Sequence, residues 1–170
     1  MALRKLVIYP DPRLKERCGD VSSFDSELHT LLDDMRETMM TAVGVGLAAP
    51  QIGVQKRIAV IDVSEEQNQP IELINPEIIA ATGSVNSEEG CLSIPRYRDT
   101  ISRRASVTVK AQNRHGDWFE VGGDGLLSMC LQHEIDHLNG VLFIDHLSRI
   151  KREFFRRWLK KQGGVLVPEE

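Results

Sequence analysis

The stretch Leu126-Leu127-Ser128-Met129-Cys130-Leu131-Gln132-His133-Glu134-Ile135-Asp136-His137-Leu138 decides how this chain is read. Leu126, Leu127, Cys130, Leu131, Ile135 and Leu138 recur at helical spacing, which predicts a buried helix over about 124–138. Two histidines four apart on a helix share a face, one turn apart, so both imidazoles reach a single metal ion. Glu134 points about 100° round the helix from His133, within reach of a metal-bound water rather than the ion. Two uncoordinated histidines and a glutamate are costly to desolvate on a buried helix, and a metal offsets that cost. The pair lacks a third protein ligand, and Cys91 in Glu89-Gly90-Cys91-Leu92-Ser93 is the best candidate.

One thiolate and two neutral imidazoles on a divalent ion leave a fourth tetrahedral position for water, the mark of a catalytic site. The ion lowers the pKa of that water, and Glu134 is placed to take its proton and return it to a leaving amine. A sulfur ligand suits zinc, Fe(II), Ni(II) or Co(II) and excludes magnesium and calcium. Cys91 also admits two other readings, a nucleophile with His133 as its base or a buried structural thiol. Cys18 and Cys130 read as structural, with Cys130 on nearly the same helical face as His133 and bordering the site.

Outward from this helix the pattern is mixed. Asp11-Pro12-Arg13-Leu14-Lys15 reads as a turn into a short helix. Leu28, Leu31, Leu32, Met35, Met39 and Met40 make residues 25–42 an amphipathic helix, capped by Asp25 or Ser26, with its methionines in the core. Strands are expected over 57–63, 71–76, 77–83, 102–113 and 118–121, with a hairpin turn at 114–117. Asn139-Gly140 ends the metal helix as a left-handed cap. A last helix covers about 147–162, stopped by Gly163-Gly164, and the tail 163–170 reads as loose. Together these elements predict one α+β domain over residues 1–170.

Composition sets limits. With 41% hydrophobic and 27% charged residues, a folded core is expected rather than disorder. The net charge of −4 carries no nucleic-acid signature overall, and no DNA partner is expected. Charge is unevenly placed: seven basic residues against Glu153 leave segment 149–161 at +6 and the rest of the chain at −10. No run of 18 apolar residues exists, so no membrane span is expected. The N-terminus turns polar too early for a signal peptide. Three cysteines without an export signal fit a reducing cytoplasm, and the sequence leaves an organellar location open.

Gly44-Val45-Gly46-Leu47-Ala48-Ala49-Pro50-Gln51 is a second cluster. Its small residues let a backbone approach a ligand, and the Gln51 amide can hold an oxyanion; the plainer reading is a small-residue loop. Taken in order, this cluster, Glu89-Gly90-Cys91-x-Ser93 and His133-Glu134-x-Asp136-His137 resemble the three signature motifs of peptide deformylases. The resemblance implies antiparallel β-sheets around the metal-ligand helix and removal of the formyl group from N-formylmethionyl nascent peptides. It implies Cys91, His133 and His137 as ligands of one divalent ion, with Fe(II) the physiological metal and zinc, nickel or cobalt as substitutes. It also implies Glu134 as general acid/base and Gln51 with the Leu92 amide as the oxyanion site. Gly46 then contacts the substrate backbone, while Val45, Leu126, Met129 and Cys130 wall the methionine pocket. Ser87 stands at its rim, where many relatives are more apolar, and Arg98 is placed to bind substrate carbonyls. For the basic last helix, docking on ribosomal RNA stands beside ordinary amphipathic packing. Two rival classes stay open: a small zinc endopeptidase, which needs a third ligand downstream, and a structural zinc domain, which needs a fourth such as Cys130.

Overall fold

A computed structural model describes residues 1–169. Three helices, α1 (Ser26–Thr41), α2 (Gly125–Leu138) and α3 (Arg149–Lys161), combine with seven strands. The strands are β1 (Gly46–Ala48), β2 (Ile58–Ile61), β3 (Ile71–Thr82), β4 (Val85–Cys91), β5 (Ile94–Arg103), β6 (Ser106–Gln112) and β7 (Trp118–Asp124). One antiparallel sheet runs in the order β1-β2-β3-β6-β7, and β4-β5 form a separate hairpin. The α+β expectation holds. Among the described residues no helix is long and apolar enough to cross a membrane.

The main sheet is covered on both faces, and β2 shows how. All four of its residues are buried. Ile58 and Val60 face the cluster built on Leu28, Leu32, Met35 and Met39 of α1. Ala59 and Ile61 face Leu131, Ile135 and Leu138 of α2. Successive side chains of a strand point to opposite faces, so a strand between two helices reads as a continuous apolar run. α1 starts where predicted: the Asp25 carboxylate accepts from the Leu28 amide at 3.0 Å. α2 stops at Gly140, whose φ of 74° suits glycine and whose missing side chain lets the Lys15 carbonyl approach. The Arg57 guanidinium donates to the Leu138 carbonyl at 3.0 Å, placing a cation at the helix C-terminus.

The structure departs from the sequence reading in several places, the smallest being Met40, which is 38% exposed near the end of α1 rather than in the core. Residues 71–82 form one strand rather than two, because pairing with β6 continues across a bulge between Ile74 and Glu77, where Asn75 takes a φ of 51° and its side chain bonds Val21 and Gln112. Residues 46–48 are a strand, paired with 59–61, rather than a loop. The hairpin β4–β5, which carries Cys91, had no counterpart over 84–101. Its inward residues Ser87 and Glu89 are polar, so apolar alternation does not mark it. Finally, the tail is packed: Leu166 is buried against Phe143 and Phe155.

Candidate active site

The helix α2 presents His133 and His137 toward the end of β4. Nitrogen atoms of both rings and Cys91 Sγ lie within 4.8 Å of one another. Sγ stands 3.4 Å from His137 Nε2. Tetrahedral bonds of roughly 2.0–2.3 Å set ligand atoms nearly this close, so the group fits a metal ion after a small contraction. His133 Nδ1 meets Glu89 Oε1 at 2.9 Å, which leaves Nε2 for the ion. The alternation of β4 explains this pairing, since Glu89 lies two residues before Cys91.

Beneath the ligands lies a buried charge network. Arg103, on β5, donates to both Glu89 oxygens at 2.8 Å and to Asp136 Oδ2 at 2.5 Å. Asp136 Oδ2 also meets His146 Nε2 at 2.8 Å. Burial pushes the Glu89 carboxyl up, but Arg103 and His133 outweigh it and hold the pKa at about 2. Burial likewise opposes the charge on Arg103, and Glu89 and Asp136 overcome it. Burial lowers the pKa of His137, favouring the neutral imidazole a metal requires. Burial also opposes protonation of His133, but the hydrogen bonds to Cys91 and Glu89 win and raise its pKa.

Glu134 differs from its acidic neighbours. It is 4% exposed, and its Oε1 has no hydrogen-bond partner among the described residues. Burial raises its pKa to about 7. A carboxyl titrating near neutrality and lacking a fixed partner is suited to move a proton. Its other oxygen lies against Gly46, where an added Cβ would stand 2.5 Å from Oε2.

Gln51 follows β1 in a short 3-10 turn and is 1% exposed. Its Oε1 accepts from the Ala48 amide at 2.9 Å, which fixes the amide orientation. Nε2 then points at Cys91 Sγ, 3.5 Å away, and at Ser93 Oγ, 3.2 Å away. Leu92 lies in the connection between β4 and β5, its side chain against Gly44. These groups open on a cavity of about 740 Å³. The expected ligand, catalytic and pocket residues all line it except His137, which is buried below. Val45 and Leu126 are exposed at the rim, Met129 and Cys130 lie deeper, Arg98 belongs to the exposed wall, and Ser87, expected at the rim, is instead buried at 1% exposure because it points inward from β4. Burial pushes the Cys130 thiol up to about 12, and its sulfur is not in the ligand group.

Arg103 escaped the sequence reading. It is one of several arginines in 96–104, and nothing local distinguishes the buried one. Glu89 and Asp136 lie inside the motifs, but their role as partners of Arg103 depends on the fold. The signal for Glu89 was its i−2 position from Cys91 on a strand, usable only once that strand is known.

The chain matches the sequence model of polypeptide deformylases over residues 3–153. It is 52% identical to the peptide deformylase of Acidobacterium capsulatum over 95% of this chain and 96% of that protein. It is 46% identical to that of Alkalilimnicola ehrlichii over 98% and 96%. The crystal structure of a peptide deformylase from Legionella pneumophila superposes with a TM-score of 0.90 at 51% identity, covering 95% of this chain and 96% of that one. That of Ehrlichia chaffeensis in complex with actinonin superposes with a TM-score of 0.89 at 41% identity, covering 95% and 98%. With the ordered motifs folded into one cleft, this chain belongs to the polypeptide deformylase family.

Proposed function

We propose that this protein removes the formyl group from the N-terminal formylmethionine of newly made polypeptides, releasing formate. The observation that carries this reading is the convergence of Cys91, His133 and His137 beside the unpartnered Glu134 carboxylate at the floor of an open cleft. The three residues would hold one divalent ion, Fe(II) in the cell, with zinc, nickel or cobalt able to substitute. Bound there, the ion would supply Lewis acidity to the site.

Glu134 takes the proton from the attacking water and passes it to the peptide nitrogen as the C–N bond breaks. The Gln51 amide and the Leu92 backbone N–H donate to the oxygen that gains charge. The backbone of Gly46 meets the substrate chain, and Val45, Leu126, Met129 and Cys130 receive the methionine side chain. Arg98 contacts substrate carbonyls.

The endopeptidase alternative is not favoured. It needs a downstream third ligand, and His146, the one histidine after the pair, is held by Asp136 instead. The structural zinc domain needs a fourth ligand, which Cys130 does not supply.

The deciding experiment follows formate release from formyl-Met-Ala-Ser, with acetyl-Met-Ala-Ser and an internal peptide as controls. The protein is purified without oxygen and loaded with Fe(II) or Ni(II). Metal-dependent release from the formyl substrate alone supports the reading; no formate from a fully loaded site, or cleavage of the internal peptide, overturns it.

Gly46→Ala is expected to lower kcat by about 100-fold, the scale of a misplacement near 1 Å, because the new methyl meets Glu134. Steady-state kinetics beside a metal assay would read this, and unchanged turnover with bound metal would remove Gly46 from the site.

The same proposal places the protein in the cytoplasm, working on nascent chains. Helix α3 buries Phe155 and exposes Arg149, Arg156, Arg157 and Lys160, consistent with docking on ribosomal RNA. Reversing the charge of Arg156, Arg157 and Lys160 is expected to abolish co-sedimentation with ribosomes at low salt; unchanged pelleting argues for packing alone.

A further inference from the structure

Beyond α3 the chain turns back onto the body. Gly163 and Gly164 reverse it at φ 78° and 73°, and Leu166 is 6% exposed against the hairpin and α3. Glu169 then reaches the cleft. Its Oε1 accepts from the Arg96 amide at 3.1 Å, and it lines the same cavity as Cys91, His133 and Glu134. Arg96 sits at φ 65° in a bulge of β5: Cys91 pairs with Ile94 and Gly90 with Arg98, so residues 95–97 have no partner on β4. The Arg96 amide therefore lacks a strand acceptor, and the tail supplies one.

Glu169 shares this wall with Arg96 and Arg98 but forms a salt bridge with neither. Arg98 pairs with Glu88 at 3.4 Å, both side chains largely exposed. Among the described residues, neither the Arg96 guanidinium nor any other basic side chain makes an ion pair with Glu169. An extended peptide advances about 3.3 Å per residue. Arg96 and Glu169 line one cavity with Cys91 and His133, so a peptide with its formyl end at the metal ligands that extended toward the β5 bulge would pass Glu169.

We propose that Glu169 is a specificity-determining residue at the far end of the cleft, favouring peptides with a basic residue downstream of the formylmethionine over those with an acidic one. This rests on the deformylase reading above. An exposed charge pair gives a modest preference, about threefold, that fades as salt is added.

The test measures kcat/KM of the metal-loaded full chain on formyl-Met hexapeptides carrying one Lys or one Glu at the third, fourth or fifth position. Formyl-Met-Ala-Ser serves as reference. The wild type is expected to favour Lys over Glu about threefold at one of these positions at low ionic strength. Glu169→Gln brings that ratio near one, and Glu169→Lys inverts it. Glu169 is exposed and leaves the Leu166 anchor in place, which matched melting temperatures verify. A Lys/Glu ratio identical in all three proteins at every position overturns the assignment. Absence of formate from the reference peptide overturns the deformylase reading instead.

Discussion

Glu134→Gln is expected to lower kcat for formate release by a factor of about 10²–10⁴, with the metal still bound. Glutamine keeps the shape of the buried side chain but cannot take a proton. Because Glu134 acts on the proton in flight, KM should change little while kcat falls. Steady-state kinetics beside metal analysis separates this from loss of the ion; near-normal kcat with bound metal would rule Glu134 out as the acid/base.

The same substitution should stabilise the metal-free protein at alkaline pH. The folded-state pKa of Glu134 is raised to about 7 from an ordinary 4.5, so burial opposes its ionisation. The wild type accordingly loses stability relative to the glutamine variant as pH rises from about 4.5 through about 7. Above that range the difference levels off near 3 kcal/mol, on the order of 1.4 kcal/mol per pKa unit. Thermal unfolding of both metal-free proteins at pH 5 and pH 8 reads the difference, which should open at the higher pH.

Arg103→Met is expected to cost about 3–5 kcal/mol of stability, the scale of removing one partner from a buried ion pair. For a chain of this length that lowers Tm by roughly 10 °C. Arg103 has 4% side-chain exposure and compensates both Glu89, at 7%, and Asp136. Without it, burial dominates the Glu89 carboxyl. The sign with pH follows. Glu89 titrates at about 2 in the fold against an ordinary 4.5, so its contribution is present above 4.5 and fades as pH falls toward 2. With Arg103 gone the folded-state value moves up, and the deficit should be largest at neutral pH and shrink in acid. Glu89 also orients His133, so metal affinity should fall by about 10–100-fold. Melting curves at pH 3 and pH 7, with competition against a chelator, test both parts. Adding Glu89→Gln should recover part of the lost stability by removing the stranded charge.

Both helices that flank the main sheet were legible because their apolar spacing is local. Leu28 through Met39 and Cys130 through Leu138 declare their buried faces within a few turns. The hairpin bearing Cys91 was not. Its inward Ser87 and Glu89 are polar, and their burial is tolerable only because Glu89 meets His133 and Arg103. β1 is three residues long, too short for a period of two to register, and exists by pairing with β2. The tail offered only Val165-Leu166-Val167, whose anchor site is built by residues far upstream.

By itself the sequence determined the chemistry on offer: two imidazoles one turn apart, a glutamate between them, a thiol and an amide in ordered motifs. Those follow from residue type and helical geometry, which act over a few positions. Tertiary structure alone decided that the thiol 46 residues away meets His137, that Glu134 is left unpartnered while Glu89 is fully paired, and that Arg103 holds the floor. These depend on strand pairing and burial, which set local dielectric and charge partners and are written in no single stretch of the chain.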